Sequence, residues 1–183
     1  MPRINPVANP NAETAEALSK TVLGEGPVLN VFTTLAHNLK LLKRLNVLGG
    51  YFIGRGRLSG RDREIVILRS AWRAGSVYEF GQHTLLGRDA GLSDLEILEL
   101  TKGSPQCGPS EAALIAMVDE LDSKVVVSDT TWKALEQKYD NDQLLEVLLL
   151  AGFYRMLAGL LNTVGVELDE GVPGWPAGSE PST

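Results

Sequence analysis

A chain of 183 residues with 44% hydrophobic and 22% charged side chains suits one globular domain with one sizeable core. With 23 acidic against 17 basic residues the net charge is −6, which argues against nucleic acid and anionic membranes as partners, since both select cationic surfaces. The single cysteine, Cys107, excludes an intrachain disulfide and a CxxC pair and fits a reducing compartment.

Helical periodicity dominates from the start of the chain. Ala15, Leu18 and Val22 mark a first helix over residues 12–23, and Gly24 to Pro27 break it. Leu29, Phe32 and Leu35 share one side of a second, over 28–36. Asn38 is placed to cap a third over 39–52, with Leu41, Leu42, Leu45 and Leu48 as its stripe. Ser59 caps a fourth over 60–73, with Asp62 as a capping-box-like partner; Ile65 to Leu68 are apolar all round, which signals burial. After Gly75-Ser76 a fifth helix spans 77–89 and stops before Gly91. Ser93 and Glu96 form a capping box for a sixth, Ser110 caps a seventh to about residue 121, and Ser128 an eighth to about 139. A long ninth covers 141–164. These elements predict an all-α bundle of about nine helices, with one domain over 1–169 and a Pro/Gly/Ser-rich flexible tail over 170–183. The polar N-terminus lacks the apolar stretch of a signal peptide, and the apolar run Leu144 to Leu150 is interrupted by Glu146 and too short to span a bilayer, so a cytoplasmic location is expected.

Few residues stand out as chemistry. Glu64 has Leu68 and Ala71 at i+4 and i+7, so either it is a buried carboxylate with a partner or a raised pKa, or it is an exposed first-turn glutamate favoured by the helix dipole. Glu79 and His83, four apart, share a helix face; a carboxylate there can orient an imidazole for proton transfer, and the plain alternative is a solvated pair. Arg69 and Arg73 suit a substrate carboxylate or, more commonly, solvent. Trp72, Phe80 and Tyr154 are core-type residues of which one or two can line a pocket. With two histidines and no HxxxH or HExxH pattern, no metal and no cofactor are expected. Cys107, in the loop-like stretch 103–109 with no His or basic cluster adjoining it, reads as a bystander.

In order and spacing, Leu58-Ser-Gly-Arg-Asp-Arg-Glu64-Ile-Val-Ile-Leu, Val77-Tyr-Glu79-Phe-Gly-Gln-His83 and Ala90-Gly-Leu-Ser93 resemble the carboxymuconolactone decarboxylase family, most clearly over residues 29–100. Phe80 stands where members usually carry Trp. The alkylhydroperoxidase D branch has Cys-x-x-Cys-x-x-x-His; here Ser76 and Glu79 occupy the cysteine positions, and neither replaces a thiolate, so the chain resembles the branch lacking that pair. The resemblance implies an alkylhydroperoxidase D-like fold and a site built from Glu64, Glu79 and His83, with Arg69, Trp72, Phe80 and Tyr154 toward substrate. It implies a cofactor-independent lyase acting by proton transfer on a small lactone or oxo-acid, with His83 as proton donor, Glu79 orienting it, and Glu64 relaying or staying protonated. A catalytically silent ligand- or protein-binding oligomer, or a peroxidase-related protein without thiol chemistry, is the alternative. The expected partners are a small-molecule substrate and further copies of the chain, in a trimer or hexamer.

Overall fold

The computed structural model describes residues 1–21 and 26–181. Among these the chain is all-helical, with no strand: α1 (Ala12–Leu18), α2 (Asn30–Leu35), a 3-10 turn (Ala36–Asn38), α3 (Leu39–Gly54), α4 (Gly60–Arg73), α5 (Val77–Asp89), α6 (Asp94–Glu99), α7 (Pro109–Lys124), α8 (Asp129–Glu136) and α9 (Asn141–Val164). Val22, Leu23 and Gly24, the predicted end of the first helix and start of its break, lie outside the described residues.

The caps explain most boundaries. Asn38, Ser59, Ser93 and Ser128 each accept a first-turn backbone N–H with the side chain, and Glu96 completes a capping box with Ser93. Two expectations change. Asp62 does not close a box with Ser59; its carboxylate takes Lys138 at 2.8 Å. Ser110 does not cap α7, because Pro109, whose fixed φ suits the first helical position, starts the helix earlier with Gly108 as N-cap.

α4 is the central helix. Ile65, Val66, Ile67 and Leu68 are all at most 2% exposed, packed among α5, α7 and α9. Burying four such side chains contributes roughly 6–12 kcal/mol in transfer terms, an upper bound because the unfolded chain already hides some of that surface. A second apolar cluster joins α1, α2 and the start of α3 to Tyr78 and Leu161. α9, at 24 residues, is long and apolar enough to cross a membrane by length and composition, contrary to the expectation from its Leu144–Leu150 run; half of its most apolar window is buried within the bundle. Glu146, one of its two charged interruptions near that run, is itself buried and accepts the backbone N–H groups of Arg57 and Leu58, tying α9 to the α3–α4 loop.

The chain beyond α9 crosses back over the bundle. Gly165, at φ +74°, ends the helix in the left-handed conformation. The following residues run across α5 at Gly81, where a Cβ would stand 2.2 Å from the Pro173 carbonyl oxygen, so only glycine permits the crossing. Within the stretch expected as a flexible tail, the Trp175 ring packs on Phe80 at 4.8 Å between centroids, and the Ser179 carbonyl accepts the Trp72 indole N–H at 3.0 Å.

Candidate functional site

α4 and α5 form a helical hairpin about the Ala74-Gly75-Ser76 turn, with Gly75 at φ +62°. Glu64 lies eleven residues before Gly75 and His83 eight after it, on opposite arms of the hairpin. Antiparallel packing therefore sets them opposite each other, and the His83 Nδ1 stands 2.7 Å from Glu64 Oε2. Arg63 donates from Nε to the other Glu64 oxygen at 2.8 Å and is held by the Ile53 carbonyl. Glu64 has no exposed surface. Burial pushes its carboxyl pKa up, but the charge and hydrogen bonds of His83 and Arg63 outweigh burial and hold it below the ordinary range. An ionised carboxylate only accepts, so the His83 Nδ1 carries the proton and Nε2 is the nitrogen left for a ligand.

Glu79 sits one helical turn from His83 yet does not hold its ring. It is 3% exposed, and neither carboxyl oxygen has a hydrogen-bond partner. Burial raises its pKa well above the ordinary carboxylate range. Its place in the first turn of α5 acts the other way, but a helix terminus is worth about 0.3–1 kcal/mol for an exposed group. An unpaired buried carboxylate is disfavoured by considerably more. The two glutamates thus exchange the parts expected from sequence: Glu64 is ionised and orients the histidine, and Glu79 is the neutral carboxyl.

A cavity of about 750 Å³, counted to its open mouth, lies among α2, α3, α5 and α9. Glu79, His83 and Tyr154 line it with Asn46 and Gln82, and Phe32, Leu42, Leu45, Phe153, Leu157 and Leu161 are among its apolar walls. Tyr154 meets the His83 ring edge-on at 4.9 Å between centroids. Burial first, then the Glu64 carboxylate, raise the Tyr154 pKa, so its phenol stays protonated. The wall formed by α2 is pinned from beyond α9: Asp169 accepts from the Asn30 backbone N–H at 2.8 Å, from Tyr78 Oη and from Gln82, and Tyr78 Oη accepts the Val31 N–H. Nothing in the local sequence around Asp169 signals this role, because its partners are more than 80 positions away in the chain.

Of the seven expected site residues, four come together: Glu64, Glu79, His83 and Tyr154. The other three do not line this cavity. Arg69, 1% exposed, gives its Nε–Nη2 edge to the two oxygens of Asp119 and Nη1 to the carbonyls of Leu100 and Lys102, leaving nothing for a substrate. Trp72 stacks on Arg69 and bonds Ser179, and Phe80 faces Trp175. Cys107 is exposed and borders a different cavity, with Arg61, Glu96 and Glu111. Among the described residues no group of three or more His, Cys, Asp or Glu is placed to hold a metal ion.

Residues 40–120, which contain Glu64, Glu79 and His83, match the sequence model of the carboxymuconolactone decarboxylase family. No curated protein matches the chain significantly by sequence. Solved structures match its fold. An uncharacterized peroxidase-related protein from Ralstonia eutropha JMP134, described as an alkylhydroperoxidase AhpD core, aligns with TM-score 0.79 at 16% identity, over 91% of this chain and 92% of that one. A peroxidase-related protein from Silicibacter sp. TM1040 aligns with TM-score 0.78 at 15% identity, over 90% of each chain. The debrominase Bmp8, in complex with 2,3,4-tribromopyrrole, aligns with TM-score 0.76 at 12% identity, over 91% of each. The α3–α7 segment is thus similar in sequence to the carboxymuconolactone decarboxylase family, and the chain as a whole has an alkylhydroperoxidase D-like all-helical fold.

Proposed function

We propose that the chain is a cofactor-independent, decarboxylase-like acid–base catalyst that moves a proton to or from the carbon beside the carbonyl of a small lactone or oxo-acid. The observation that carries this reading is the Glu64–His83 contact at 2.7 Å, made at the wall of an apolar cavity that the unpartnered Glu79 carboxyl also lines. In the proton-abstracting direction, His83 Nε2 takes the α-proton and the C–H electrons pass into an enolate. The Glu79 carboxyl donates a hydrogen bond to the enolate oxygen, the use a neutral buried acid is suited to. The imidazolium, stabilised by Glu64, returns its proton to carbon. Where the departing group is CO2, the C–C electrons form the same enolate, and His83, entering this branch as the imidazolium, gives its Nε2 proton to carbon and regains one from water. The dry walls strengthen both interactions by excluding water.

Incubation with a panel of lactones and oxo-acids in D2O, read by mass spectrometry, tests this. The expected result is deuterium gain at the α-carbon, or loss of CO2 with deuterium uptake, reduced about 10²–10⁴-fold in His83→Gln. Turnover of any panel member that is insensitive to His83→Gln contradicts the assignment.

We further propose that the working form is a closed homo-oligomer. α9 exposes Leu145, Leu149 and Met156, each more than half exposed, and α3 exposes Val47 at 73%. Ile65 to Leu68 are covered within the single chain and add nothing to this reading.

A further inference from the structure

The cavity described above also restricts the charge of what enters it. Its walls come from both apolar clusters, and no Arg or Lys is among its described lining residues. Residues 22–25 and 182–183 contain no Arg or Lys either. The nearest guanidinium, Arg63, is spent on Glu64 and the Ile53 carbonyl. Arg69, expected as a carboxylate clamp, is committed to Asp119. His83 is the one lining group able to become cationic, and Glu64 already offsets that charge at 2.7 Å. An anionic head would therefore leave water for an apolar chamber without a free counter-charge, which is strongly unfavourable.

At the same place two acidic oxygens of Glu79 are buried with no partner. Such atoms are rare in folded proteins and point to a missing hydrogen-bonding group. Ionised, Glu79 would repel a carboxylate beside it. Protonated, it offers one donor.

We infer that the pocket takes an uncharged ligand with a hydrocarbon body and one hydrogen-bond-accepting head, such as a medium-chain lactone or ketone, the head lying against Glu79 and His83 Nε2 and the body along Phe32, Leu42, Leu157 and Leu161. This inference rests on the acid–base reading and narrows it: between the lactone and the oxo-acid it selects the lactone, and between enolisation and CO2 loss it selects enolisation.

The test uses γ-decalactone and decanoate as a matched neutral and anionic pair. Both are titrated into the whole protein at pH 7.5 by calorimetry, with the His83 ring resonances as a reporter of position. The lactone binds and shifts the His83 signals, and decanoate binds at least about tenfold more weakly, because its charge must be desolvated without a partner. Glu79→Leu weakens the lactone by about three- to tenfold, the loss of one hydrogen bond, and does not weaken decanoate. Glu79→Gln, which keeps a donor, retains lactone binding and guards against misreading a folding defect. Decanoate binding as tightly as the lactone, or neither compound reaching His83, overturns the inference. If the lactone binds selectively but gains no deuterium in D2O, the ligand class stands and the catalytic reading fails. If an oxo-acid is both bound and turned over in preference, the catalytic reading stands and the ligand class fails.

Discussion

His83 is hydrogen-bonded across the α4–α5 hairpin to Glu64 at 2.7 Å, and the Glu79 carboxyl one turn away on its own helix has no partner at all. Two glutamates of the same intrinsic acidity are thereby driven in opposite directions by their surroundings, one below and one above the ordinary range.

That divergence has a signature in stability. Glu79 binds its proton more tightly folded than unfolded, so folding takes up a proton between the ordinary glutamate value of about 4.3 and its raised value. Stability from this group accordingly falls as pH rises through that window. Glu64 is the opposite case: its stabilisation is present above about 4.3 and is lost as pH falls through its depressed value. Glu79→Gln is expected to raise the melting temperature at pH 7–8 and to lose that advantage near pH 4. Glu64→Gln is expected to lower it at pH 7 by about 1–3 kcal/mol in stability, the penalty for breaking a buried hydrogen-bonded pair. Calorimetric scans across pH 4–8 check both; a Glu79→Gln protein less stable than wild type at pH 8 contradicts the neutral carboxyl.

Gly81 supplies a second test. Alanine is normally the better helix former by roughly 0.5–1 kcal/mol. Here its Cβ would meet the Pro173 carbonyl at 2.2 Å and the Val172 side chain at 2.8 Å. Gly81→Ala is therefore expected to lower the melting temperature, and to release Trp175 from Phe80, visible as a red shift of tryptophan emission. A stabilised Gly81→Ala protein means the segment after α9 does not cross α5 as described.

Thiol chemistry is expected to be absent from this site. Ser76 and Glu79 stand at the positions of the paired cysteines, and Cys107 borders another cavity. Burial and the nearby Glu111 and Glu99 charges raise the Cys107 thiol pKa, which keeps it a poor nucleophile. No dithiol-dependent turnover of an organic hydroperoxide is expected. Turnover that persists in Cys107→Ser would contradict the site assignment, and turnover lost in it would implicate Cys107.

The exposed apolar face of α9 predicts a mass above the 19.8 kDa of one chain by multi-angle light scattering at micromolar concentration. Leu149→Glu, placed where the side chain is 64% exposed, is expected to reduce that mass without changing helical content. A single-chain mass for the wild type rejects the oligomer.

Much of this was legible in the residues. Caps at Asn38, Ser59, Ser93 and Ser128 set helix starts, and the apolar neighbours of Glu64 made burial one of its two readings, the one the structure shows. Which carboxylate meets His83 was misjudged because i, i+4 proximity is only a possibility along one helix, whereas the hairpin geometry about Gly75 decides the partner. The placement of Glu64 and His83 on the two arms about that turn, eleven residues before Gly75 and eight after it, was the available signal. Arg69, Trp72 and Phe80 were misplaced for a rotational reason. At roughly 100° per residue, Phe80 is turned away from the face shared by Glu79 and His83, and Arg69 and Trp72 from that of Glu64. Asp169, which pins α2, was hidden by its long separation from Tyr78 and Gln82 in the chain.

The central claim is that Glu64, and not Glu79, fixes the proton on His83 Nδ1 and leaves Nε2 to the cavity. Long-range ¹H–¹⁵N correlation spectra of the two imidazole nitrogens measure this directly. At neutral pH the wild-type spectrum is expected to show a protonated Nδ1, unchanged in Glu79→Gln and lost or mixed with the other tautomer in Glu64→Gln. A protonated Nε2 with a bare Nδ1 in the wild type, or a tautomer that responds to Glu79→Gln and ignores Glu64→Gln, would contradict the account.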